Sequence, residues 1–227
     1  MRLALSLGLL LGLLPPLALA ADDPAAVAVE AVRGGRFEEA LARSEEAVQA
    51  RPKDAAAWNV RAYALSAAGR KAEAAEAYAQ ASTLAPKDVL SRMNRGSVLL
   101  ALGKPADALA AFDQAIALDP QRSRLHNHRG VALERLGRLD EARQAYRTAM
   151  RLDPKDPVPH NNLGALAYRR GVEAGAASLF AKALELDPKF EAASFNASLA
   201  VARTTGQPAR AEEEILAAAA RADAPPA

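Results

Sequence analysis

A period of 34 residues runs through the chain. Prolines stand at 52, 86, 120, 154 and 188, and glycines at 35, 69, 103, 137 and 171. Alanines keep the same step at 40, 74, 108, 142 and 176, and again at 47, 81, 115, 149 and 183. Between the two alanine series lies an aromatic, Tyr78, Phe112, Tyr146 or Phe180, with Ser44 in the first copy. Self-similarity at this spacing means that one small unit is repeated, and that no unit buries its apolar stripe without a neighbour.

Each unit reads as two helices. In residues 122–156 the first covers roughly 123–136 and stops at Gly137, since glycine takes the left-handed conformation that ends a helix. The second covers roughly 140–152 and stops before Pro154, because the residue before a proline resists helical geometry. Asp54, Asp88 and Asp156 precede the following first helices, where a carboxylate accepts unpaired backbone N–H groups. Gly96, Gly130 and Gly164 on first helices, with the alanines at 40 to 176 on second helices, predict close approach of the paired backbones, and the aromatic fills the remaining space. The alanine-rich, aromatic-poor composition agrees with an all-α chain.

With these landmarks placed, the chain resembles the tetratricopeptide repeat family. The fullest copy, residues 55–88, carries Trp58, Ala62, Gly69, Ala74, Tyr78, Ala81 and Pro86 where that motif has its landmarks. The resemblance implies an α-α superhelix, or solenoid, over residues 21–222, with repeats at about 21–54, 55–88, 89–122, 123–156 and 157–190 and a partial closing repeat at 191–222. The first copy lacks its aromatic, and the last glycine falls at 206, one position late, after an insertion near Arg203. Arg61, Arg95 and Arg129 stand where the family has a large apolar residue. Their stems can pack while the guanidinium reaches solvent or a carboxylate.

The first twenty residues, MRLALSLGLLLGLLPPLALA, form a different segment. One arginine, an apolar run of 12 residues from Leu3 to Leu14 and small residues at Ala18 and Ala20 describe a signal peptide. The run is shorter than the roughly 20 residues that cross a bilayer as helix. The expectation is cleavage after Ala20, export to the periplasm or, as second choice, secretion, and no stable membrane insertion afterwards. Residues 223–227 are expected to be a disordered tail.

Composition removes several classes of function. Cysteine is absent, so thiol chemistry and thiolate metal sites are excluded. The chain has 29 basic and 27 acidic side chains, and loss of Arg2 with the leader brings these to 28 and 27. A balance that close provides no electrostatic basis for nucleic-acid binding. No nucleophile elbow, phosphate-cradling glycine loop or HExxH spacing occurs, so no catalytic residue, metal or cofactor is expected. His126 and His160 occupy the Trp58 position and read as structural; His128 alone of the histidines is placed on the inner face.

In tetratricopeptide repeat proteins the stripe of each first helix turned away from its partner helix lines a concave groove, so the resemblance implies that this inner face carries the candidate site. The His128 position holds Val60, Asn94, His128, Asn162 and Asn196 in successive copies; the position before it holds Asn59, Met93, Asn127, Asn161 and Phe195. Asparagine supplies both a donor and an acceptor, so a row of them can pair with the peptide groups of an extended chain. The pattern is similar to the asparagine ladder lining the repeat groove of O-GlcNAc transferase. Tyr63 and Tyr168 would add apolar contact. Arg135, Arg169 and Arg203, with Arg124 and Arg170 beside them, would favour an acidic segment or a C-terminal carboxylate. The carboxylate clamp of some family members needs a lysine where Asn59 and Met93 stand, so that activity is not implied. The expected function is therefore non-enzymatic peptide binding by an exported adaptor or assembly factor. The alternative is a scaffold that joins folded subunits through its outer face or ends.

Overall fold

A computed structural model describes residues 23–205. Eleven helices occupy them: α1 (Pro24–Arg33), α2 (Phe37–Ala50), α3 (Ala55–Ala67), α4 (Lys71–Leu84), α5 (Val89–Ala101), α6 (Pro105–Leu118), α7 (Ser123–Arg135), α8 (Leu139–Leu152), α9 (Pro157–Arg169), α10 (Glu173–Leu186) and α11 (Glu191–Thr205). The chain divides into two compact units, the first ending at Pro120 with α1–α6, the second starting at Gln121 with α7–α11. In the first, α1 packs on α2 and α3, α3 on α4, α4 on α5 and α5 on α6. In the second, α7 packs on α8, α8 and α10 both pack on α9, and α11 packs on α10 and α9. The expected leader, the end of the closing repeat from Gly206 onwards and the expected tail lie outside the described residues.

The helix ends form as the sequence predicts. Gly137 adopts φ 76°, as the equivalent glycines also adopt positive φ. The turn closes with Arg138 N–H donating to the Leu133 carbonyl at 2.9 Å and Gly137 N–H donating to Glu134 at 3.0 Å, a Schellman closure. At the opposite ends Asp54, Asp88 and Asp156 each accept from the backbone N–H two residues on, at 2.9–3.0 Å. Asp23 does the same for α1.

Every alanine of the two 34-residue series is fully buried, as are Tyr78, Phe112, Tyr146 and Phe180. The aromatic lies against the glycine of the paired first helix. A Cβ added to Gly96 would stand 2.5 Å from the Phe112 ring, and one added to Gly130 would stand 2.5 Å from the Tyr146 ring. The small residue is therefore the seat of the aromatic. In the first repeat, Ser44 fills that position, and its hydroxyl donates to the Leu41 carbonyl at 3.0 Å.

Arg61 takes up the space the missing aromatic leaves. It donates to the Leu41 carbonyl at 2.8 Å and pairs with Glu45 at 2.9 Å, so its guanidinium bridges α3 to α2. Arg95 at the equivalent position of α5 keeps a buried Nε without a hydrogen-bond partner. α11 runs for 15 residues where α3, α5, α7 and α9 run for 13, in line with the late Gly206.

Candidate binding face of the first helices

The first helices α7, α9 and α11 lie side by side in the second unit, and their asparagines meet. Asn162 Nδ2 donates to Asn127 Oδ1 at 3.0 Å, and Asn196 Nδ2 donates to Asn161 Oδ1 at 2.9 Å. Partners are 35 residues apart, one more than the repeat. The contact therefore joins the two asparagine columns diagonally. Asn127 and Asn161 are each only 6 % exposed, so they are deeper than an open ladder requires, whereas Asn162 and Asn196 are partly exposed. The physical reason for the burial is the adjoining first helix, which covers the earlier member of each pair.

Asparagine offers two N–H donors and an acceptor with two lone pairs, and one inter-repeat bond uses only part of that capacity. Asn162 and Asn196 each retain a carbonyl oxygen and a second amide hydrogen. Each pair thus keeps both a donor and an acceptor.

In the first unit the arrangement differs. Asn59 Nδ2 donates to Asp88 Oδ2 at 3.1 Å, and Ser91 Oγ sits 2.8 Å from Asn59 Oδ1 while also contacting the Asp88 carboxylate. Asp88 is the cap of α5, so Asn59 clamps the start of the next first helix. Asn94 is buried; burial, foremost, pushes the Tyr78 phenol well above its ordinary pKa, while the neighbouring Asn94 side chain acts in the opposite direction. Asn94 is thus part of the repeat-to-repeat packing and not an open rung. Tyr63 is also buried rather than exposed to a ligand, and burial raises its pKa against the opposing charge of Arg33.

The basic positions have intramolecular roles too. Arg169 pairs with Glu134 at 2.6 Å, and the Tyr146 hydroxyl donates to the same carboxylate at 3.1 Å. Arg203 lies over the Tyr168 ring, 5.1 Å from its centre, and donates to the Tyr168 carbonyl at 3.3 Å. The Tyr168 hydroxyl reaches the Leu199 carbonyl at 3.5 Å. Arg170 pairs with Asp140 at 3.0 Å and holds that carboxyl below its usual range. Arg124 and Arg135 are exposed. The face is thus less cationic than the arginine column alone suggests, because Glu134 offsets Arg169. Asp88 and Ser91 carry no signal in the sequence as partners of Asn59, whereas Glu134 precedes Arg169 by 35 residues, the offset at which the asparagines also meet.

His128 sits on α7 with its imidazole desolvated; burial first, then the Arg124 cation, lowers its pKa to about 4. His160 is buried, with Nδ1 3.2 Å from the Asp156 carbonyl. Among the described residues no group of three His, Asp or Glu side chains could hold a metal ion. The lowered His128 pKa fixes a sign. The unfolded chain protonates first, so this stability is complete above pH ~6.5 and is lost as pH falls towards about 4. His128→Asn should flatten the decline in unfolding free energy between those pH values, measured by urea titration at stepped pH.

Comparison with known proteins supports the architecture. Solved structures with the same fold include MamA 41-end from Desulfovibrio magneticus RS-1, at 25% identity and TM-score 0.66, covering 75% of this chain and 99% of that one. TTC0263, a thermophilic TPR protein in Thermus thermophilus, aligns at 25% identity and TM-score 0.66, covering 80% and 99%. PilW, a type IV pilus biogenesis factor, shares the fold at 24% identity and TM-score 0.73, covering 84% and 88%. None of the curated proteins compared with the chain matches it. The family described as Tetratricopeptide repeat matches residues 26–89 and 93–157, more than half of the sequence, and it matches the segments whose alanines, aromatics and glycines build the stacked helix pairs. The chain belongs to the tetratricopeptide repeat family.

Proposed function

We propose that the protein is a non-enzymatic interaction module that binds an extended peptide segment of a partner along the first-helix face of its second unit. The family membership carries the coarser statement, that the fold serves protein–protein interaction. The observation that supports the finer one is the pairing of Asn127 with Asn162 and of Asn161 with Asn196. Each pair holds its amides in a fixed orientation and keeps one acceptor and at least one donor, the complement of a peptide group. Orientation fixed before binding lowers the ordering entropy that association costs. Arg124 and Arg135 flank this face and favour a carboxylate-bearing segment.

The apolar leader supports a site of action outside the cytoplasm, in the periplasm, as an adaptor or assembly factor. Among the described residues no helix is long and apolar enough to cross a membrane.

The test is a peptide-array screen of the protein from Ala21 onwards beside an Asn162→Ala/Asn196→Ala variant, both first checked for equal helicity. Asn94 is left intact because it is buried. Acidic, extended ligands should be captured by the parent and lost by the variant. Equal capture by both would remove the asparagine face from the account.

A further inference from the structure

The outward side of α8 carries three arginines at helical spacing, Arg143, Arg147 and Arg151, all exposed. A four-residue step advances ~6 Å along a helix, so the guanidiniums form a stripe with ~12 Å between its ends. No other second helix has a basic residue at any of the three positions. Arg143 corresponds to Leu41, Ala75, Leu109 and Ala177; Arg147 to Glu45, Ala79, Asp113 and Ala181; Arg151 to Gln49, Thr83, Ala117 and Glu185.

Several surface cations of the chain pair with a carboxylate three residues away, Arg36 with Glu39, Arg43 with Glu46, Arg70 with Glu73, Arg138 with Glu141 and Lys182 with Glu185. Arg147 and Arg151 have no carboxylate three or four residues away. Positions three and four away hold Arg143, Gln144, Met150 and Arg151 for the first, and Arg147, Thr148, Pro154 and Lys155 for the second, with no carboxylate among them. Arg143 reaches Asp140 only at 3.4 Å, and that carboxylate is closer to Arg170. Like charges four apart destabilise a helix, so the stripe works against the stability of α8.

We propose that this stripe is a second interaction surface, separate from the asparagine face, and that it docks an acidic helix whose carboxylates recur every four residues. Guanidinium binds carboxylate bidentately, and equal spacing on two helices lets three such pairs form in one register. Among the described residues the exposed large apolar side chains are Phe37, Leu118, Val172, Phe195 and Val201, none of them on α8. The face therefore has nothing to insert into a bilayer, which favours a protein ligand over an anionic lipid surface.

The test is fluorescence anisotropy with the full chain and a labelled helical peptide carrying glutamates at four-residue intervals. A control peptide has the same composition with the glutamates dispersed around the helix. The parent should bind the spaced peptide more tightly than the control. An Arg143→Gln/Arg147→Gln/Arg151→Gln variant of unchanged helicity should bind it about tenfold more weakly. The Asn162→Ala/Asn196→Ala variant should bind as the parent does, which separates this surface from the other. Equal binding of both peptides, an unaffected arginine variant, or capture of phosphatidylglycerol vesicles with no binding of the peptide would each overturn the proposal.

Discussion

Phe112→Ala lowers the unfolding free energy by ~3–5 kcal/mol, the cost of emptying a fully buried aromatic site. The ring stands between α6 and α5 and covers Gly96, whose missing side chain leaves nothing to fill the void. Neighbouring alanines at 108, 111 and 115 are too small to collapse into it. Because each helix pair is held only by its neighbours, a loss of this size is a large part of the total stability of a small domain. Urea denaturation followed by far-UV circular dichroism measures it. A loss below ~1 kcal/mol would mean that the aromatic is not the packing centre of the repeat.

Gly130→Ala should also destabilise, although alanine is the better helix former by ~1 kcal/mol. The added methyl would meet Tyr146 Cε1 at 2.5 Å and Cδ1 at 2.7 Å, and the ring is itself enclosed. Overpacking of this kind costs ~1–3 kcal/mol and outweighs the propensity gain. The shift also pulls the Tyr146 hydroxyl from Glu134, the carboxylate that holds Arg169. In a Tyr146→Leu background the same substitution should cost less, because the colliding ring is gone. The check is a double-mutant cycle of thermal or urea unfolding, with a coupling of more than ~0.5 kcal/mol expected.

The fold was legible because its determinants are local or strictly periodic. Gly137 ends α7, Pro154 follows the end of α8, and Asp156 caps α9, each at the position its chemistry requires. The candidate site was legible only in part. A 34-residue period shows which residues occupy equivalent positions, but side chains on adjacent first helices meet one position further on. Asn127 therefore reaches Asn162, and Glu134 reaches Arg169. A helical wheel drawn for one helix shows Asn127 and Tyr63 on an outward stripe and carries no information about the neighbouring helices, yet both side chains are buried. Arg61 was undecided for the same reason, since the carbonyl and carboxylate it meets belong to the previous repeat.

The central claim is that paired asparagines on α7, α9 and α11 hold the backbone of an extended peptide. Its most direct measurement is isothermal titration of the captured peptide into the parent, the Asn162→Ala/Asn196→Ala variant and the α8 arginine variant. The account predicts tight binding to the parent and to the arginine variant, and at least about tenfold weaker binding to the asparagine variant. Undiminished affinity in a folded asparagine variant would contradict it.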